Sequence, residues 1–323
     1  MMKVCVILLI FLFFVNSINY GKSKKRSFYR DFDIQKNFNP ALILNYDYLT
    51  EPLSESPITS TSFDINIAVP QHKLHACVIG KNFSNMLWSV FCYLYNSKIF
   101  QSRHKSLRDN YWSKNICSKS IVESSFKKTA IKFNKKRIIR FGREWKHIMI
   151  VRHPVDRFIS AFTHFCLKKP NELNNNKVCF TCGSDMKCLL NNIYYKMELY
   201  IKTNQKSNNA LIYNFFPQTW QCQYSDYKKF YTILQYNSSN LEPFYENFIS
   251  ILEKQGISEG IVTYINNEIR NTTSLHPKKH YDNINYYKKE LYNDPYLLRM
   301  ISIVYYNDFK EFNFDLPLPK IKI

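Results

Sequence analysis

Two short stretches of this chain carry residue types suited to holding a phosphate. In the first, His147–Phe162 (HIMIVRHPVDRFISAF), Arg152 ends an apolar run and Ser160 stands eight residues later. A guanidinium offers planar, charge-assisted hydrogen bonds to an anion, and a hydroxyl adds one neutral donor. In the second, Gly80-Lys81-Asn82-Phe83-Ser84-Asn85, an ammonium and a hydroxyl share one turn. Taken alone, each stretch also fits a solvated cation beside an ordinary strand–helix turn.

The elements that must position these residues can be read from the pattern. His147–Val151 is apolar and rich in β-branched residues, as expected of a buried strand. Pro154 suits the first position of a helix, where its missing N–H needs no partner. Val155, Phe158, Ile159 and Phe162 then recur at helical spacing. This puts Arg152 at a strand tip and Ser160 about two turns into the next helix, with an anion-attracting helix N-terminus between them. The second stretch repeats the plan. Ala76–Ile79 reads as a strand, and Met86, Leu87, Val90, Phe91 and Leu94 give a helix face, with Ser84 or Asn85 as N-cap. The Walker A pattern GxxxxGK[ST] is absent, so an ordinary nucleotide triphosphatase has little support.

Elsewhere the signals are coarser. Residues 18–62 are polar, basic at first, with scattered prolines, and read as a stem. The globular part is expected to begin near Phe63, with Ile65–Val69, and to run to residue 323. Leu167–Tyr195 reads as a disulfide-held insertion, Lys187–Lys202 as a helix, Phe230–Tyr236 as a strand and Glu246–Gln255 as a helix stopped by Gly256. Ile257–Ile269 is ambiguous. Ser274–His280 reads as a basic turn. One helix starts at Asp294-Pro295 and buries Leu298, Ile301, Tyr305, Phe309 and Phe312.

Composition narrows the partner. The 323 residues are 45% hydrophobic, enough for a full core, and carry a net charge of +20. Such a charge implies an anionic partner: nucleic acid, acidic lipid or acidic glycan. Lys3 precedes an unbroken apolar run, Val4–Val15, the length of a signal-peptide core and short for a bilayer span. Cleavage after Ser17 is the favoured reading of residues 1–17, and a short type II anchor is the alternative. Either way the remainder enters the secretory lumen, with membrane contact only through the first segment if uncleaved. Nucleic acid is then excluded as a partner, and acidic glycan becomes the leading polyanion.

Cysteine usage agrees with that compartment. Of nine cysteines, Cys5 lies in the leader and eight remain, an even number that reads as disulfides. Cys179-x-x-Cys182 has no second pair at finger spacing, so zinc is disfavoured. Cys77 and Cys92 sit in apolar segments, where buried free thiols are the alternative. Sequons occur at Asn82, Asn237 and Asn271, the last two in polar stretches open to glycosylation.

Together the two stretches resemble a known family. Cys77-Val-Ile-Gly-Lys81-Asn-Phe-Ser84 is similar to the 5′-phosphosulfate loop of Golgi carbohydrate sulfotransferases. Arg152-His-Pro-Val-Asp-Arg157-Phe-Ile-Ser160 resembles their 3′-phosphate motif. Asn214-Phe-Phe-Pro217-Gln…Cys222 resembles their H-[WF]-x-P…C segment. The likeness spans about residues 63–318 and is nearest to the chondroitin-sulfotransferase-like branch expanded in nematodes. It implies an α/β, P-loop-like sulfotransferase fold with a central, mainly parallel sheet flanked by helices. It implies a donor, 3′-phosphoadenosine 5′-phosphosulfate, and a glycan acceptor, chondroitin-like being favoured. Lys81 would stabilise charge on the leaving phosphate. Ser84 and the loop residues Asn82, Phe83 and Asn85 would bind the 5′-phosphate, and Arg152 and Ser160 the 3′-phosphate. Lys278 or Lys279 would approach the nucleotide from a late loop. No metal is called for, because the leaving group is a stable phosphate.

Three departures stand out. Gly80 replaces a common Pro, Asn85 a common Thr, and Asn214 the usual His of the acceptor region. If that His is the base, this chain needs another. His72, His75, His104, His147 and Glu144 are the candidates, with His147 reading as structural. The alternative function is a silent lumenal relative that binds nucleotide or acidic glycan without turnover.

Overall fold

The computed structural model describes residues 64–109, 117–167, 178–203, 209–271 and 278–317. These all belong to one compact unit, Ile43–Ile323. The signal and stem readings, residues 1–62, lie outside the described residues. Five strands form one sheet: β1 (Asn66–Val69), β2 (Leu74–Cys77), β3 (Val122–Glu123), β4 (Lys146–Arg152) and β5 (Tyr231–Tyr236), in the order β3-β1-β2-β4-β5. β2, β4 and β5 run parallel, with Cys77 beside Met149 and Arg152 beside Tyr236. β1 is antiparallel to both its neighbours at the far side. The result is a mixed α/β fold with a central, mostly parallel sheet flanked by helices.

Strand alternation sorts the core into two layers. Ile67, Val69, Leu74, Ala76, Ile148 and Ile150 face one layer, with α1 (Ser84–Tyr95), α8 (Glu242–Lys254) and α9 (Glu259–Arg270) supplying Phe91, Phe248 and Ile265. Ala68, Cys77, Met149 and Val151 face the other, against Phe126 of α3 (Phe126–Phe133) and Phe141 of α4 (Ile138–Glu144). With both faces covered, β4 is buried throughout its centre, which is why it reads as an unbroken apolar run. α2 (Ser97–Arg103) follows α1 directly, and the helix expected at Lys187–Lys202 is α6 (Met186–Thr203).

Several expected elements shift. The strand read at Ala76–Ile79 ends at Cys77, because Val78 and Ile79 already leave the ladder towards the Lys81 turn. Ile257–Ile269, ambiguous in sequence, is the helix α9. The single C-terminal helix is two: α11 (Pro295–Val304), capped by the Asp294 carboxylate, and α12 (Tyr306–Glu311), with the break at Tyr305. The Tyr305 hydroxyl donates to Phe215 O at 2.7 Å, so this residue is anchored elsewhere. Lys278 and Lys279 do not form a loop. They open α10 (Lys278–Asn293), which packs along α5 (Pro154–Phe162) through Tyr287 and Phe162, ring centres 5.0 Å apart.

All eight remaining cysteines are paired: Cys77–Cys222, Cys92–Cys117, Cys166–Cys179 and Cys182–Cys188. The free-thiol alternative for Cys77 and Cys92 is thereby corrected, since the fold brings Cys77, at the end of β2, beside Cys222 and Cys92, on α1, beside Cys117. The CxxC pair divides between two bridges. Asn82 is almost fully buried, which closes its sequon in the folded protein, whereas Asn237 and Asn271 are exposed.

Candidate active site

β2 and β4 are parallel neighbours, so the turns into α1 and α5 leave the same end of the sheet side by side. In parallel sheets ligands bind beyond the carboxyl ends of the strands. The first turn is held from inside. Lys81 and Phe83 adopt left-handed backbone, φ 70° and 63°. The Phe83 ring packs on Phe244 at 5.0 Å and Tyr236 at 5.8 Å. The Asn82 amide donates to Ile150 O at 2.9 Å and to Gln218 Oε1 at 2.5 Å. Asn82 and Phe83, expected to face a donor, therefore turn their side chains inwards, so only their backbone is left to meet a ligand. Lys81 and Ser84 remain half-buried and Asn85 exposed. Neither Ser84 nor Asn85 caps α1. The N-cap position is Phe83, without a side-chain cap, because Ser84 is already helical. α5 likewise starts without one, at His153. Both helices thus present N–H groups that no capping side chain occupies.

Gly80 is required here by close approach. A Cβ at this position would lie 2.6 Å from Tyr213 O and 2.6 Å from Asn214 Oδ1. Two departures from the family pattern, Gly80 and Asn214, are therefore in contact. Asn214 sits at the end of α7 (Asn209–Phe215), where its amide donates to Ala210 O at 2.8 Å. Gly80→Ala should destabilise the fold by about 1–3 kcal/mol, since the backbone carbonyl it strikes cannot swing aside. Chemical denaturation would show it; an Ala variant as stable as wild type would contradict the contact.

Arg152, at the tip of β4, donates through Nη1 to Lys81 O at 3.1 Å and through Nη2 to Ser238 Oγ at 2.7 Å. Its Nε is buried with no partner, and the group lies 5.5 Å from the centre of the Tyr236 ring. Among the described residues no carboxylate forms an ion pair with it. Burial lowers its pKa from the usual value, and Tyr236 and Asp156 oppose that shift. Ser160 is half-buried on α5.

Three residues to which the sequence reading gave no role hold the two turns together. Arg157 is 1% exposed. Its nitrogens donate to Gly80 O, Phe216 O and Tyr213 O at 3.1, 2.8 and 3.0 Å. Gln218 is fully buried. Its Oε1 accepts from Asn82 and, at 2.9 Å, from the Arg152 backbone N–H. Its Nε2 donates to Arg152 O at 2.9 Å and Asp308 Oδ2 at 3.2 Å. Asp308 also accepts from the Gln218 and Thr219 backbones and from the Thr219 hydroxyl. Burial raises the Asp308 pKa against those hydrogen bonds and Arg157. One amide thereby ties the first turn, the tip of β4 and α12. A carboxylate on the apolar face of the C-terminal helix, and a guanidinium inside an otherwise apolar one, were the legible signals. Gln218 left none.

None of the five base candidates sits at this end of the sheet. His72 lies in the turn before β2, and Glu144, paired with Arg140, precedes β4. His104 is buried against Phe100 after α2. His75 and His147 are fully buried side by side, their Nδ1 atoms 2.9 Å apart. His147 Nε2 lies 3.0 Å from Phe141 O, which can only accept, so it carries the proton. In the neutral pair His75 Nδ1 donates to His147 Nδ1 when the Asn66 side-chain amide, 3.1 Å from His75 Nε2, is turned to donate to that nitrogen. Burial holds His75 well below the ordinary imidazole pKa and His147 down to about 4. The folded pair stays neutral where the unfolded chain gains protons below about pH 6.5. Stability should thus be full above that pH and fall towards pH 4, by up to about 1.4 kcal/mol per pH unit for each histidine. Denaturant midpoints at pH 7 and pH 5 test this; equal midpoints would refute it.

Residues 66–315 match the model of the Sulfotransferase family, which covers both turns and the Gln218 segment. The chain belongs to the Sulfotransferase family. Its relatives include "Uncharacterized protein C18B2.2" of Caenorhabditis elegans, 26% identical over 77% of this chain and 68% of that protein. Another is "Carbohydrate sulfotransferase chst-1" of the same organism, 23% identical over 79% and 77%. No solved structure matches the chain significantly. For this sulfotransferase, the family resemblance read from the two turns and the family match agree on the family. Among the described residues no helix is long and apolar enough to cross a membrane.

Proposed function

We propose that this sulfotransferase moves a sulfonate group from 3′-phosphoadenosine 5′-phosphosulfate to a sugar hydroxyl of an acidic, chondroitin-like glycan in the secretory lumen, with the Golgi as its station. The observation that carries the donor reading is Arg152. A half-buried guanidinium whose Nε is buried without a partner, with no carboxylate ion pair among the described residues and set between two uncapped helix starts, is suited to compensation by an anion. The residues fit the donor's two phosphate ends. Arg152 and Ser160 would hold the 3′-phosphate; Ser84 and the amides of the Lys81 turn would hold the 5′-phosphate, with Asn85 at its rim. Lys81 would balance the charge that grows on the leaving phosphate oxygen. The net charge of +20 supports a polyanionic acceptor and would speed its capture. Lys278 and Lys279 would add to that field. The leader, residues 1–17, and stem, 18–62, would deliver the catalytic part, 63–323, to the lumen.

The test is calorimetric binding of 3′-phosphoadenosine 5′-phosphate, followed by transfer from labelled donor to a panel of desulfated glycosaminoglycans. Binding with transfer to at least one acceptor is expected. Binding without transfer to any would leave a silent nucleotide-binding relative. No binding would remove the donor assignment.

A further inference from the structure

We propose that His164 is the catalytic base of this sulfotransferase, a reading that rests on the donor assignment above. The usual histidine of the acceptor region is Asn214 here, and its amide is committed to Ala210 O beside Gly80. The proton of the attacking hydroxyl therefore needs another destination. Of the histidines whose side chains are described, His164 is the exposed one. His153, at the start of α5, is wedged edge-on between Phe309 and Phe314 at 5.5 and 5.4 Å.

Position supports the assignment from two directions. His164 follows Ser160 by four residues and lies just past the end of α5. The helix there widens into a π-turn, Thr163–Leu167, a distortion that often marks functional sites. The Cys166–Cys179 bridge anchors this segment. The second direction is Phe165. Its ring centre lies 4.9 Å from the Lys81 ammonium and 4.7 Å from the centre of the His164 ring. The residue that would bear the leaving-group charge and the imidazole thus flank one aromatic side chain.

The step balances with these groups alone. An imidazole nitrogen of His164 takes the proton of the sugar hydroxyl. The oxygen forms a bond to sulfur as the bond from sulfur to the phosphate oxygen breaks. The electron pair leaves on that oxygen, next to Lys81. The products are a sulfate ester and 3′-phosphoadenosine 5′-phosphate, and His164 returns its proton to solvent.

The test compares wild type with H164A and H164Q in the active full chain. A positioned base contributes about 10²–10⁴-fold. Both variants should lose at least about a hundredfold in kcat, keep calorimetric affinity for 3′-phosphoadenosine 5′-phosphate within about twofold, and H164A should regain rate with added imidazole. Variants that bind the nucleotide and turn over within about threefold of wild type would overturn the assignment and leave the donor reading intact. Lost nucleotide affinity in both, without imidazole rescue, would also overturn it in favour of a structural role. Wild type that fails to bind the nucleotide would overturn the donor reading, and this assignment with it.

Discussion

Arg157→Ala should lower stability by roughly 3–5 kcal/mol, a large part of the margin of an ordinary domain. The guanidinium is buried, and its three hydrogen bonds go to main-chain carbonyls: Gly80 in the first turn, Tyr213 and Phe216 around the end of α7. Its removal leaves three buried acceptors without a donor and a cavity where the side chain stood. Among the described residues no solvent-exposed ion pair carries comparable weight, because exposed pairs such as Lys228–Glu311 are screened. Arg157→Lys should fall in between, since a single ammonium cannot serve three diverging carbonyls through a planar fork. Denaturant unfolding at pH 7 measures both. An Ala variant within about 1 kcal/mol of wild type would show that the carbonyls find other donors.

Arg152→Ala should weaken binding of 3′-phosphoadenosine 5′-phosphate by at least about tenfold. A hydrogen bond from a charged donor contributes roughly 1.5–3 kcal/mol, and 1.4 kcal/mol is one decade in affinity. The loss has a second source. Arg152 also donates to Lys81 O, so the variant loosens the turn that would hold the other phosphate. Arg152→Lys should recover little, lacking the fork. Ser160→Ala should cost less, one neutral donor being lost, and Lys81→Ala should act mainly on kcat. Calorimetry on folded protein decides the matter: an Arg152→Ala variant that binds as tightly as wild type would remove the anion site from Arg152. Because Arg157 and Arg152 differ in their partners, the two variants separate a stability defect from a binding defect.

Local pattern alone determined much of this protein. The apolar run before Arg152, Pro154 after it and the spacing of Val155, Phe158, Ile159 and Phe162 specify strand, turn and helix, because side-chain periodicity and proline geometry act within a few residues. The same holds for the turn around Lys81, and two such turns sufficed for the family resemblance. The even cysteine number implied bridges. What only the tertiary structure decided depends on residues distant in sequence. Cys77 meets Cys222 across 145 positions, and nothing near either residue announces the other. Asn82 and Phe83, polar and apolar neighbours in a loop motif, both turn inwards, because Gln218 and Ile150 supply acceptors for one and a cluster of rings packs the other. Gln218 looks like any glutamine after a proline until the sheet brings Asn82, Arg152 and Asp308 within reach of its amide. Gly80 and Asn214, read separately as departures from a pattern, are one contact. Periodicity reports which face a residue takes; it carries no information on which distant carbonyl or amide completes that face, and in this protein those long-range partners build the site.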